Sequence, residues 1–261
     1  MQHMATKTVL FVTGAFVTHL GWRQWQEYFE SKGYTTVAPA WPLKEGDPAT
    51  LRSQHPNSPI ASLRLSQVVE HYAAIARSLP EPPVLIGHSA GGFIVQALLL
   101  QGLGSAGVAI HPFPPMGVIP LELSFYRAGT KALGVLTSAD TTYLMSLSDW
   151  QYAFTNGMSL EEQKRTYDEN VIPESKRIAR DGLTKAAQLD FSKPHAPLLI
   201  TSGSNDNILP ASLNLRNFNR YPQGQGSITE YKEFPGRNHF VLGQPTWKED
   251  ADYILTWLSG H

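Results

Sequence analysis

Pro83-Val84-Leu85-Ile86-Gly87-His88-Ser89-Ala90-Gly91-Gly92-Phe93 is the stretch from which the rest of the chain is best read. Its first four residues form an apolar run of strand length, and Phe93 to Leu103 continues as a helix, so Gly87-His88-Ser89-Ala90-Gly91 is the turn between them. In such a junction the central residue is forced into a strained backbone conformation, and small neighbours let the turn close and expose its hydroxyl. Ser89 is therefore a candidate nucleophile. The G-x-S-x-G pattern alone is weak. With Gly at roughly 7% and Ser similar, a chain of this length holds it by chance roughly one time in ten, and a serine between glycines is ordinary turn chemistry. The flanking strand and helix carry the reading.

Outward from that turn, short apolar and β-branched runs alternate with longer helical patterns. Strands are predicted at about 7–13, 35–40, 83–88, 106–111, 197–203 and 228–233, with helices near 21–32, 61–79, 91–103, 211–219 and 246–258. This alternation predicts an α/β fold: a mostly parallel six-stranded sheet flanked by helices on both faces. From about 114 to 192 the rhythm breaks. That stretch holds no convincing strand, and Trp150, Tyr152, Phe154 and Met158 are spaced like parts of packed helices. It is too long for a plain loop. The expected organisation is a core of residues 5–113 and 193–261 with a helical cap inserted at 114–192.

With 261 residues the chain can bury a core without staples. It has no cysteine, which excludes disulfides, thiolate zinc sites and a cysteine nucleophile, and fits a reducing, cytoplasmic setting. A net charge of -1 gives no electrostatic footprint for nucleic acid or an anionic membrane. The apolar run Thr8 to Val12 is too short to span a bilayer, so a soluble protein with a small-molecule partner is expected. Met1-Gln2-His3-Met4 reads as an expression remnant. Gly102, Gly104 and Gly107 match G-x-G-x-x-G but follow a helix and precede a strand, the reverse of a dinucleotide-binding turn; they read as a helix C-cap and connection. No H-E-x-x-H and no carboxylate cluster occurs, so neither a metal nor another cofactor is expected.

A serine nucleophile needs an imidazole as base and a carboxylate to orient that imidazole. Asp206 lies on the loop after the predicted strand 197–203, and His239 on the loop after 228–233. Sites in open α/β sheets gather outside the carboxyl ends of strands. Ser89, Asp206 and His239 can therefore converge, in the chain order expected for this architecture. Read alone, Asp206 would pass for a turn former. His88, preceding Ser89, should point away, and His111 reads as a satisfied structural histidine or a pocket residue. An oxyanion hole needs two N–H donors. One is expected from Ala90 and the other from Ala15 or Phe16 in the turn Thr13-Gly14-Ala15-Phe16. Phe16, Phe113 and Phe240 are candidates for an apolar pocket. Pro173-Glu174-Ser175 could reach the site, although its local pattern is that of ordinary helix capping.

Together these residues resemble the α/β-hydrolase superfamily over essentially the whole chain. Gly87 to Gly92 looks like its nucleophile elbow, with Asp206 as acid, His239 as base and Thr13-Gly14-Ala15 in the place of its His-Gly-x oxyanion motif. With the first predicted strand starting at about residue 7, the family's first two strands are expected to be absent, and the resemblance implies a minimal six-stranded α/β-hydrolase fold with a cap. Gly14-Ala15 followed by Gly21-Trp22 is similar to the group of plant methylesterases and hydroxynitrile lyases. Those lyases carry Thr in place of Gly14 and Lys in place of Phe240, and both departures favour hydrolysis. Ser89 argues against the epoxide hydrolases and dehalogenases, whose nucleophile is Asp. The resemblance implies a cofactor-free serine hydrolase of small carboxylic esters acting through an acyl-enzyme. A ligand-binding or signalling module, or a cofactor-free lyase or oxygenase, are the alternatives on the same fold.

Overall fold

The computed structural model describes residues 8–224 and 226–261; Met1-Gln2-His3-Met4 and the first residues of the expected core lie outside them. Six strands form one sheet: β1 (Thr8–Val12), β2 (Thr35–Val37), β3 (Val84–His88), β4 (Ala106–Ile110), β7 (Leu198–Gly203) and β8 (Thr229–Phe234). Their order is β2-β1-β3-β4-β7-β8, and every neighbouring pair is parallel. Strand alternation divides the core in two. Leu10, Val12, Leu85 and Ile200 face helices α3 (Leu65–Ser78), α4 (Ala90–Leu99) and α9 (Ala211–Phe218). Val9, Phe11, Ile86 and Val108 face α1 (Arg23–Ser31) and α10 (Trp247–Ser259), where Trp22 and Phe29 pack on Phe11 and Trp25 packs on both of them. Both faces being covered explains why the central strands read as continuous apolar runs.

Several elements are shorter than expected, two of them for a clear local reason. β2 stops at Val37 because Pro39 has no N–H to extend the ladder. α4 stops at Leu99 because Gly102 turns left-handed at φ 73° and the Leu103 N–H closes back on the Leu98 carbonyl. A short helix, α2 (Pro48–Ser53), lies outside the predicted elements; the Asp47 carboxylate caps it by accepting from Thr50 N.

Between β4 and β7 lie α5 (Leu123–Leu133), α6 (Leu147–Ala153), α7 (Leu160–Asn170) and α8 (Lys176–Asp181). The same stretch holds an antiparallel pair, β5 (Thr142–Tyr143) with β6 (Glu174–Ser175), where no strand was expected. Two residues per strand are too few for an alternating pattern to show in sequence. No helix among the described residues is long and apolar enough to cross a membrane.

Candidate active site

Ser89 sits between β3 and α4 with φ 59° and ψ -122°. Holding an L-residue there costs on the order of 1–3 kcal/mol and persists only where the surroundings over-determine it. They do so here. Ser89 N–H donates to the Ile110 carbonyl at 3.0 Å, and the Ser89 carbonyl accepts from Phe113 N at 2.9 Å. A Cβ at Gly91 would run into the Val12 carbonyl, so the helix can start this close to β1 only with glycine there. Ala90 is the first residue of α4, and its N–H belongs to the unpaired first turn.

Asp206 and His239 follow β7 and β8, at the same carboxyl edge of the sheet. His239 Nδ1–H donates to Asp206 Oδ2 at 2.6 Å, so Nε2 carries the lone pair. His111 donates from its own Nδ1 to that same oxygen at 2.9 Å. Asp206 Oδ1 accepts from Ile208 N at 2.9 Å and Leu209 N at 2.7 Å. Burial acts to raise the Asp206 pKa, but the attraction of His239 and the hydrogen bonds from His111 and His239 outweigh it. The carboxylate is held well below its ordinary 3.8. His111, Asp206 and His239 each place a ligand-type atom within 4.8 Å of the others. Both Nδ1–H groups already point at Oδ2, and a cation would have to displace them.

The structure thus joins His239 to Asp206 directly. It does not join Ser89 to His239 by a hydrogen bond: among the described residues His239 Nε2 is buried without a partner. The His239 ring is fully enclosed, with the Phe154 ring centred 4.6 Å away and nearly perpendicular to it. Its loop is anchored to α10 by Arg237, which pairs with Asp250 at 2.8 Å.

His88 does not turn away from this group. Its ring lies 4.6 Å from that of His239, and Nε2–H donates to the His239 carbonyl at 2.8 Å. Burial, then repulsion from His239 and His111, lower its pKa well below the ordinary 6.5, against the opposing pull of Asp206. A depressed histidine stays neutral when folded while the unfolded chain takes up a proton. Stability should therefore fall as pH drops below about 6.5, by up to about 1.4 kcal/mol per pH unit. His88→Gln keeps a donor for the His239 carbonyl without titrating. Its melting temperature should fall less steeply than that of the wild type between about pH 6.5 and 4.5; parallel slopes would refute the assignment.

The turn after β1 treats its two candidate donors differently. Phe16, at φ 70°, gives its N–H to Glu174 Oε2 at 2.9 Å, whereas among the described residues Ala15 N–H has no acceptor. Glu174, read from sequence as capping, instead reaches the site. Its carboxylate also takes Lys44 Nζ and, at 2.8 Å, the Ser175 N–H. Burial lowers the Lys44 pKa from 10.5, and the Glu174 carboxylate opposes the fall. Neither residue carried a sequence signal for this pairing, which joins positions 130 apart.

A cavity of about 200 Å³ opens at Ser89. Ala15, Phe16 and Ala90 line it with Phe93, Phe113, Phe125, Leu209 and residues of α5 and α8; Glu174 is its one ionisable wall residue among those described, apart from Tyr126. Phe240 does not belong to that wall. Its ring packs on Trp150 at 5.2 Å and borders a separate small cavity with Gly14 and His88. The Phe240 N–H is shared between the Phe154 carbonyl and Asn238 Oδ1.

A model of the alpha/beta hydrolase family matches residues 9–249. No curated protein sequence compared with the chain matches it. Among solved structures it is similar to tomato methylketone synthase I complexed with 2-tridecanone, at TM-score 0.72 and 17% identity over 98% of both chains. It is similar to the monoacylglycerol lipase of Paleococcus ferrophilus, at TM-score 0.68 and 22% identity over 97% of this chain and 94% of that one. A methylesterase from Arabidopsis gives TM-score 0.67 and 15% identity over 97% and 99%. At these identities the likeness is one of fold.

Proposed function

The chain belongs to the alpha/beta hydrolase family, and on that footing we propose that it is a serine hydrolase cleaving small, uncharged carboxylic esters. The observation that carries this reading is the His239 ring. Asp206 holds its Nδ1–H, which leaves Nε2 as a base at the strand edge where Ser89 is strained outward. His239 Nε2 takes the Ser89 proton as Oγ attacks the ester carbonyl. The N–H groups of Ala15 and Ala90 hold the resulting oxyanion. The C–O bond to the alcohol then breaks, and the alcohol leaves with the proton from Nε2. Water, deprotonated by the same nitrogen, attacks the acyl-Ser89 carbonyl; the Oγ–acyl bond breaks, Oγ takes the proton back from Nε2, and the acid is released. Catalytic hydrogen bonds often tighten only with substrate bound, so the missing contact between Ser89 and His239 is the step that binding completes.

The cavity supports the choice of substrate. Its wall is apolar, and its one carboxylate is matched by Lys44, which favours an acyl or alcohol group without charge. Segment 114–192 acts as a cap, since α5 and α8 supply much of that wall. An inert ligand-binding module is the competing reading, and among the described residues the absence of a hydrogen bond between Ser89 and His239 favours it. Treatment with a fluorophosphonate separates the two. The enzyme should gain one phosphonyl group, located by mass spectrometry on the peptide carrying Ser89; an unmodified peptide after prolonged excess reagent would leave the inert module standing.

A further inference from the structure

Glu174 shares the cavity wall with Ser89 and is paired in the interior with Lys44, yet the mechanism above uses neither. Glu174 is 1% and Lys44 2% exposed. A buried ion pair is often no more stabilising than apolar residues of the same volume, so its presence at the cavity wall calls for another reason. The hydrogen bonds around the turn after β1 supply one.

Three bonds stitch that turn to the segment leading into β6. Thr18 N–H donates to the Asn170 carbonyl and Ile172 N–H to the Phe16 carbonyl, each at 2.9 Å; Phe16 N–H donates to Glu174 Oε2, also at 2.9 Å. Two of these are ordinary backbone contacts. The third ends on a carboxylate, a stronger acceptor than a carbonyl. It grips the peptide unit immediately after Ala15, at a residue whose φ of 70° is one that side-chain-bearing residues rarely adopt unaided. The other end of the turn is braced through Trp41 and Lys44. Trp41 Nε1–H donates to the Thr13 carbonyl at 3.0 Å, and Lys44 Nζ lies 3.9 Å over the Trp41 ring.

We propose that Glu174 is a positioning residue for the oxyanion site: by holding the Phe16 N–H it fixes the turn so that the Ala15 N–H points, with that of Ala90, at the developing oxyanion. Lys44 makes a carboxylate tolerable there. Unmatched, its charge would oppose the oxyanion in a site where little water screens it. The proposal rests on the serine-hydrolase reading and adds to it a part played by segment 114–192, which carries Glu174.

Two double variants isolate the acceptor. Both remove the ion pair and keep volume: Lys44→Met with Glu174→Gln retains an oxygen for the Phe16 N–H, and Lys44→Met with Glu174→Leu does not. The Leu pair should show kcat lower than the Gln pair by about 10- to 100-fold, a misaimed donor being a partial form of a lost one. KM should differ by less than about threefold, since the contact acts on the transition state, and the rate of Ser89 phosphonylation should fall in step with kcat. Melting curves establish that both pairs are folded. Equal kcat in two folded pairs, or a difference confined to KM, overturns the positioning role while wild-type phosphonylation still upholds the hydrolase. Wild-type protein that never reacts removes both.

Discussion

Ser89→Ala is expected to lower kcat/KM on a nitrophenyl ester by about 10⁵- to 10⁶-fold, the loss typical of removing the nucleophile from a triad that acts as a unit. The residual rate should remain about 10³-fold or more above water alone, because the proposed Ala15 and Ala90 donors and the apolar cavity do not depend on the hydroxyl. The fold should survive. Alanine keeps a Cβ, so the strain at φ 59° is neither relieved nor increased, and among the described residues no hydrogen bond of the Ser89 side chain is lost. Melting temperatures of wild type and variant should therefore agree while their rates diverge. An Ser89→Ala protein that hydrolyses the ester within tenfold of wild type would show that the reaction runs through some other group.

Much of this site is legible in the chain because each part follows directly from a local signal. Ser89, Asp206 and His239 each come within a few residues of a strand end. Those strands announce themselves because both faces of the sheet are covered. Once the strands are placed, the shared edge follows. What is not legible depends on direction or on distant pairing. Nothing in Phe234 to Phe240 says that the Phe240 ring turns toward Trp150 and away from the main cavity. His111 meets Asp206 across 95 residues, so its share of the carboxylate is a tertiary fact. Pro173-Glu174-Ser175 shows how a local pattern can mislead. The Ser175 hydroxyl does cap α8, while the Glu174 side chain serves Phe16 and Lys44 from other parts of the chain. Asp47-Pro48 was a readable helix start, but α2 spans only six residues and shows no apolar period.

Asp206→Asn is expected to reduce kcat by about 10⁴-fold, equivalent to about 5.5 kcal/mol of barrier. The carboxylate offers four acceptor positions, and all four are taken: two by the backbone of Ile208 and Leu209, two by the imidazoles of His111 and His239. Asparagine has one oxygen. If that oxygen keeps the backbone donors, which define the loop, the amide N–H₂ must face both rings. His239 then accepts at Nδ1 and carries its proton on Nε2, where it cannot take one from Ser89. If the amide flips, the backbone N–H groups of Ile208 and Leu209 face donors and the loop loses its anchor. The first arrangement leaves the protein folded and inactive; the second makes it less stable as well. A kcat measurement beside a melting curve distinguishes them. A folded Asp206→Asn protein whose kcat drops less than tenfold would mean that Asp206 does not set the His239 tautomer, and the base would have to be oriented by another group.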